Sequence, residues 1–535
     1  MRRGQPGRAI GVLMLLASSA CGSLGADHVI VGADDVAASG SAGAFSGLGG
    51  GAGLAKGGAG VGGSAGASAG ATAGAATGTG GSAGMMLPAG GAGSGAVSPE
   101  CVGATRVVGS MQVYAGSETT GLVRSVSGDL TIYGTTNGLA QLRCLETVAG
   151  SLDVKLGSGN LDALSQLRSV AGSLTIEGNN TIVDLSGLRS LTLVGNALTL
   201  KGNASLQTLT GLENLEELFD LSIGDNPRLE NLDALAQLTS RGGALEIVSN
   251  DALVSLAGLH GLALANTLTI SRNPALRDLK GLEGLSEVTG KVEIDSNDAL
   301  VSLDGLEGVK AMIGLSVQFN PKLQNIDALG ASLTSPRTGE FRECPVLSSL
   351  EGLRNVKSFE SLTLASVGLT SLNGLRNLET IDGLNVLDTK IKDLTGLGKA
   401  LIGSGLSIGG NTELQSLAGL SAENHQLGQL SIADNPKLRD LSGLEILHSV
   451  PQALMLESNR SLASLAGLEN LTLVSSIGII DHPALTSLAP LAGLQTMGAG
   501  VVFRQNPKLS NCEIQTLITR CGGSSAELQS NGPCN

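Results

Sequence analysis

The strongest constraint on the fold is a repeat of 22 to 24 residues that covers most of the chain. Typical copies read Asn203-ASLQTLTGL and Asn297-DALVSLDGL, with leucines at steps of three after the asparagine. This asparagine recurs at Asn179, Asn203, Asn226, Asn250, Asn273, Asn297, Asn320, Asn411, Asn435, Asn459 and Asn506. A fixed period of this size predicts a solenoid in which each coil buries its apolar face against its neighbours.

Six weaker copies complete a set of seventeen. They place another residue at the asparagine position, namely Thr135, Gly157, Cys344, Ser366, Asp388 and His482. Proline follows this position in several copies, where it fixes the turn and removes a hydrogen-bond donor. An amide that turns inward at the same place in every coil predicts a ladder of hydrogen bonds to backbone groups.

The segment before each asparagine alternates apolar and polar residues, as in 174–177 and 292–295. This period of two predicts short strands that stack as one parallel sheet, with small polar residues outward. We therefore expect a mostly β, right-handed parallel solenoid over 135–510, with an N-terminal cap at 99–134 and a C-terminal cap at 511–535. The chain has 6 Phe, 2 Tyr and no Trp, so leucine must fill this core.

The first residues are typical of an export signal. Arg2, Arg3 and Arg8 precede the apolar run Ala9 to Ala17, which is too short to span a bilayer. The following SSAC resembles the lipobox of bacterial lipoproteins, which implies a signal peptide at 1–20, lipidation of Cys21 and, with Gly22 next, sorting to the outer membrane. Residues 21–98 are rich in Gly, Ala and Ser, and we expect a disordered tether there.

Two recurring pieces carry a family resemblance. V-x-G-x-L-x-I recurs from Val126, Val148, Val170 and Val288, and N-P-x-L-x-x-L-x-G-L recurs through the remainder. Over some 400 residues the chain resembles receptor L-domain and leucine-rich repeats, as found in bacterial surface lipoproteins. The resemblance implies binding of a protein, peptide or glycan on the solenoid surface, but it fixes no ligand residues.

The seven cysteines are assigned by their positions. Cys101 and Cys144 flank the first coil and are expected to form a disulfide in an oxidising compartment. Near the C-terminus we expect Cys512 to pair with Cys534, because an intact helix would hold Cys512 and Cys521 about 13 Å apart. Cys521 then remains a thiol, and Cys344 is expected as a buried thiol in the ladder.

The sequence indicates no catalytic, cofactor or metal site. The five histidines fall in no zinc-binding spacing. With 33 basic against 47 acidic residues, the chain lacks the charge of a nucleic-acid-binding protein. One enzymatic alternative is a β-helix that acts on acidic polysaccharide, with a site among outward residues of neighbouring coils: Glu246, Glu293, Asp295, Glu340 and Arg342. A solvated acidic stripe is the favoured interpretation of these residues.

The coils between residues 335 and 395 depart from the pattern. Two of them are one residue shorter and lack the asparagine, and the coil before them has Gly339 at an inward position. Neutral drift is favoured over a functional break, and we expect a local kink there. The function we expect is binding or adhesion by a surface-exposed lipoprotein of the cell envelope, with a polysaccharide enzyme and a structural spacer as alternatives.

Overall fold

The computed structural model describes residues 99–114, 121–135, 139–240, 242–334, 336–523 and 526–534. The expected signal peptide at 1–20, Cys21 and the expected tether at 21–98 lie outside these residues. Within the described part, no helix combines the length and the hydropathy needed to cross a membrane.

A single parallel sheet, called the main sheet, runs through the described part of the chain. Each strand pairs with the strand of the next coil, so that Leu174, Leu198 and Leu221 lie side by side. Its strands are Met111–Tyr114, Leu130–Thr135, Leu152–Ser158, Leu174–Glu177, Ala197–Lys201, Asp220–Gly224, Leu245–Val248, Leu268–Ser271, Lys291–Asp295, Gly314–Gln318, Thr338–Cys344, Ser358–Val367, Thr380–Leu387, Leu401–Gly409, Gln429–Ala433, Ser449–Glu457, Leu473–Ile480, Thr496–Arg504 and Ala526–Gln529. The parallel β solenoid predicted from the sequence is confirmed.

Shorter elements complete each coil. Flanking parallel strands precede the main strands at Thr105–Val107, Val123–Val126, Thr147–Val148, Ser169–Val170, Leu193–Val194, Glu217–Leu218, Thr239–Ser240, Leu264–Ala265 and Glu287–Val288. Single 3₁₀ turns form the opposite side at Pro99–Cys101, Leu139–Leu142, Asp162–Leu164, Ser186–Leu188, Asp233–Leu235, Ala257–Leu259, Asp327–Ala331, Glu351–Leu353, Asn373–Leu375 and Ala489–Gly493. One α-helix, Asn511–Cys521, lies near the C-terminus.

The core is a continuous column of leucine, isoleucine and valine. Leu174 and Ile176 point inward from their strand and are fully buried, while Thr175 between them points outward. The return arc of a coil contributes further buried leucines, such as Leu206, Leu209 and Leu212. Gly211 has a φ of 112°, and a Cβ atom there would overlap the carbonyl oxygen of Leu185 in the preceding coil. Close approach of successive turns therefore explains the glycine of the L-x-G-L phrase.

The predicted asparagine ladder is present. Asn226 is fully buried, its Nδ2 donates to the Leu200 carbonyl oxygen at 2.9 Å, and its Oδ1 accepts the backbone N–H of Asn203 at 3.1 Å. The same contacts recur in the other asparagine copies except Asn179, whose Nδ2 donates to Asn203 Oδ1, and they tie each coil to the previous one. The buried ladder amides are satisfied in this way, which is the condition under which a buried polar group stabilises a fold.

In four of the weaker copies, the residue predicted for the ladder position is wrong by one place along the chain. Ser366 and Asp388 take left-handed backbone conformations, and the next residues, Val367 and Thr389, occupy the ladder. In the early copies Leu156 donates its backbone N–H to Asn179 Oδ1 and pairs with Gly134, so these two residues replace Gly157 and Thr135. At Val367 and Thr389 the displacement follows from the positive φ of the preceding residue, which is a property of the folded backbone.

The ladder also extends beyond the copies identified in the sequence. Asn531 Oδ1 accepts from Asn506 Nδ2 at 3.0 Å, and Asn531 Nδ2 donates to Phe503. Because its strand, Ala526–Gln529, pairs with Thr496–Arg504, the segment expected as a C-terminal cap contributes another rung. At the other end, 99–134 likewise contains strands of the main sheet.

One disulfide joins the N-terminal segment to the solenoid, and the other lies within the C-terminal segment, where it links the helix to the residues after the last strand. Cys101 bonds to Cys144 and Cys512 bonds to Cys534, with Cα separations of 5.5 and 5.1 Å. The C-terminal helix buries Ile514, Leu517 and Ile518 against the last coils. Cys521 is left as a buried thiol that donates to the Leu494 carbonyl oxygen at 3.0 Å.

Candidate binding surface

The outward side of the main sheet, called the outer face, is a regular surface that runs along the described coils. Three positions of each strand point outward and form three columns along the solenoid. The central column contains Thr175, Thr199 and Ser222 in adjacent strands. Since the inward residues and the ladder build the core, the identity of the outer residues is open to selection for binding.

Charged side chains occupy the first part of this face, from strand Leu152–Ser158 to strand Thr338–Cys344, here called the charged half. Its three columns include seven acidic and four basic residues: Asp153, Glu177, Asp220, Glu246, Glu293, Asp295, Glu340, Lys155, Lys201, Lys291 and Arg342. Several pair locally, as Lys155 does with Glu177 at 3.9 Å. The charged half is thus a mixed surface with an acidic excess.

The outward acids singled out from the sequence do not lie on successive coils. Glu246 and Glu293 belong to the central column, but Thr269 lies between them, so they are about 10 Å apart at the usual strand spacing. Glu246 accepts a hydrogen bond from Ser222 Oγ at 3.0 Å, and Glu293 pairs with Lys291 at 3.2 Å.

The remaining residues of that set also have local partners or an intervening coil between them. Asp295 and Arg342 lie in an adjacent column with Gln318 between them, and Arg342 pairs with Glu340 in its own strand. This arrangement corresponds to a solvated stripe, in which an intervening coil separates the acids of different strands.

The outer face changes character in the six strands from Ser358–Val367 to Leu473–Ile480, here called the neutral half. Its three columns contain Ser361, Thr363, Ala365, Gly383, Asn385, Leu387, Gly405, Ser407, Gly409, Gln429, Ser431, Ala433, Ala453, Met455, Glu457, Ser476, Gly478 and Ile480. Glu457 is the only charged residue among them. The small outward residues can be read from the sequence, but the division into two halves depends on the strand register.

Aromatic residues contribute to the outer face at its N-terminal end. Tyr114 and Tyr133, the two tyrosines of the chain, stack with ring centroids 5.2 Å apart and an interplanar angle of 14°. The Tyr114 hydroxyl donates to Gln112 Oε1 at 2.7 Å. The sequence analysis missed this pair, although their identical position in adjacent repeats was a usable signal.

The atypical coils between 335 and 395 line an open cleft of about 490 Å³ together with residues 401–403 of the next strand. Phe359 and Ile381 form its floor, and the ion pair between Arg337 and Glu360 lies at its rim. The inward Gly339 is explained here, because the Phe359 ring and Leu362 occupy the space that a side chain would need. Strand pairing continues through these coils, with one irregularity between Ile381 and Gly383.

Two ladder substitutions bury titratable groups. Burial raises the pKa of the Cys344 thiol to about 11, which keeps it protonated and unreactive. His482 is fully buried, and burial lowers the pKa of its imidazole. Nδ1 of His482 lies 3.2 Å from the Asn459 carbonyl oxygen, whereas Nε2 has no hydrogen-bond partner.

No cluster of three or more potential metal ligands occurs among the residues that the structure describes. No family model matches the chain, and no curated protein does. Among solved structures, an internalin from Listeria monocytogenes is 14% identical and aligns over 70% of this chain and 84% of its own, with a TM-score of 0.31.

Two other solved structures are similar at the same level. A leucine-rich-repeat protein from Leptospira interrogans is 18% identical over 71% of this chain and 90% of its own, with a TM-score of 0.36. One from Bacteroides eggerthii is 12% identical over 74% and 72%, with a TM-score of 0.34.

Proposed function

We propose that this protein is a lipid-anchored protein of the cell envelope that binds a protein or glycan partner through the charged half of its outer face. The observation that carries the proposal is that each coil uses different residues for its core and for its outward surface. Buried leucines and ladder amides hold the coil together, whereas residues such as Glu246 and Lys201 project outward from the same strands. A surface of mixed charge on a rigid scaffold favours selective recognition.

The anchor rests on the N-terminal sequence. A basic segment, a short apolar run and SSAC at 18–21 support export followed by lipidation of Cys21. Acyl chains contribute about 0.8 kcal/mol per buried methylene, so a multiply acylated cysteine holds a protein on a membrane. With Gly22 next to the modified cysteine, we place the protein at the outer membrane, exposed at the cell surface.

The alternatives receive less support. A β-helix enzyme that acts on polysaccharide needs carboxylates that converge on one bond, and Glu246 and Glu293 are instead separated by a full coil and occupied by local partners. A pure spacer requires no particular outer residues. The ordered alternation of acids with Thr269 and Ser316 in the central column therefore favours a binding role over a spacer.

Metabolic labelling with palmitate tests the anchor. We expect label in the wild-type protein and none in Cys21→Ala, with accumulation of the uncleaved precursor under globomycin. Cys344→Ser serves as the matched control, because it removes a cysteine far from the signal and should leave labelling intact. An unlabelled wild-type protein would refute lipidation without affecting the binding proposal.

Affinity capture from envelope extracts tests the binding surface. We expect a partner to be retained by the wild type and lost with Glu246→Lys combined with Glu293→Lys. Ser407→Lys combined with Ser431→Lys introduces the same two lysines in the neutral half and should retain the partner. Equal retention by wild type and both variants would reject the charged half as the binding surface.

A further inference from the structure

We propose that the neutral half of the outer face is a self-association surface, on which a second copy of this chain packs through the same face. The neutral half covers six adjacent strands of the main sheet and interrupts an otherwise charged surface. The inference concerns a different part of the outer face from the proposed partner site and does not depend on the lipid anchor.

The side chains of the neutral half form a flat surface. Leu387 lies over Gly409 of the next strand, where its Cδ2 is 3.2 Å from the position that a Cβ would take. The Met455 side chain covers Gly478 in the same way, so that a Cβ on that glycine would overlap the methionine. Long apolar side chains thus fill the gaps above glycines, which leaves a level surface that suits face-to-face packing of two sheets.

Electrostatics favour a second copy as the occupant. The chain carries a formal charge of -14, and the charged half contains seven acids against four bases, so most surfaces of two copies repel each other. Along the outer face, the three columns of the neutral half carry one charge, Glu457, so two copies meet less repulsion there than at the charged half. A basic partner would instead be drawn to the acidic excess of the charged half.

The dimensions fit a weak dimer. Six strands at about 4.8 Å and three outward positions span roughly 29 Å by 16 Å, or about 450 Å² per copy. Two such faces bury about 900 Å² in total, just below the roughly 1,000 Å² expected of a specific interface and within the range of transient ones. We therefore expect a weak, reversible association that increases with protein concentration.

Sedimentation equilibrium of the full chain carrying Cys21→Ala, which excludes association through acyl groups, tests the proposal. We expect the mass to rise from one toward two copies with concentration, and association to strengthen at high salt as repulsion is screened. Ser407→Glu and Ser431→Glu, tested separately, should each weaken association at least tenfold. Thr199→Glu places the same charge in the central column of the charged half and should leave association unchanged.

Circular dichroism and the melting temperature establish that each variant is folded. A wild type that stays monomeric to about 100 μM, or association lost equally in Thr199→Glu and Ser407→Glu, would overturn the proposal. Association that weakens with salt would also overturn it, since that result indicates an ionic interface. A monomeric wild type whose envelope partner is lost in Ser407→Glu would assign the neutral half to a different protein.

Discussion

At the scale of the residue, His482 shows what one substitution in the ladder does. The asparagines on either side satisfy both ends of their amides, as Asn506 does by accepting from His482 and donating to Ile479. The imidazole at 482 makes one such contact and leaves Nε2 without a partner. An unsatisfied buried nitrogen costs about 1 to 3 kcal/mol, so this rung is a local weak point.

We expect His482→Asn to raise the stability of the protein and to reduce its pH dependence. Burial holds the pKa of His482 below its ordinary 6.5, so the folded state binds fewer protons than the unfolded state below that pH. The stability contributed by the neutral imidazole is complete above pH 6.5 and is lost as the pH falls through the lowered pKa.

Urea denaturation at pH 7.5 and pH 5.0 measures both effects. The wild type should lose more stability between the two pH values than His482→Asn does. His260→Asn removes an exposed histidine and should retain the wild-type difference. A pH dependence in His482→Asn equal to that of the wild type would exclude His482 as its source.

At the scale of the element, the sequence predicted the coil well and the exceptions poorly. The alternation of Leu174 to Glu177 predicted a strand because inward and outward residues obey a strict period of two. The ladder positions of Val367 and Thr389 were misplaced because apolar or hydroxyl residues there carry no distinctive signature. Only the positive φ of the preceding Ser366 and Asp388 identifies them, and that is a property of the folded backbone.

The disulfides at the two ends are the elements that close the stack. Cys101 and Cys144 are 43 residues apart, and cross-linking a loop of this length contributes about 4 kcal/mol by restricting the unfolded chain. We expect Cys101→Ser with Cys144→Ser to lower the free energy of unfolding by about this amount, measured by urea denaturation.

The other disulfide provides the comparison. Cys512 and Cys534 close a loop of 22 residues, and their paired serine variant should lose about 3 kcal/mol. Reducing agent should destabilise each paired variant further, because one disulfide remains in each. A Cys101→Ser, Cys144→Ser protein as stable as the wild type would show that the first coils hold their place without the bond.

At the scale of the whole molecule, the strand register determines which residues are neighbours on the outer face. These neighbours cannot be read directly from the sequence. Glu246, Thr269 and Glu293 are adjacent in the central column although about 23 residues separate each from the next. Small differences in coil length shift such columns by one residue, which moves a side chain to the other side of the sheet. The charged and neutral halves therefore become visible only once the strands are aligned.

The ladder also divides the solenoid along its length. Cys344, Val367 and Thr389 interrupt the asparagines between Asn320 and Asn411, and Val367 offers no side-chain hydrogen bond. Ion pairs cross these coils, as between Lys357 and Glu379, but both side chains are more than half exposed and such pairs contribute little.

Because each coil contacts only its neighbours, a weak interface lowers local stability without unfolding the whole stack. We expect amide hydrogen exchange to be faster in residues 338–389 than in the coils on either side. Val367→Asn should slow it there, since an amide of similar volume supplies the missing rung. Val254→Asn, at an exposed valine outside the ladder, should leave the profile unchanged. Uniform protection from Asn179 to Asn506 in the wild type would mean that leucine packing alone sets the stability of each interface.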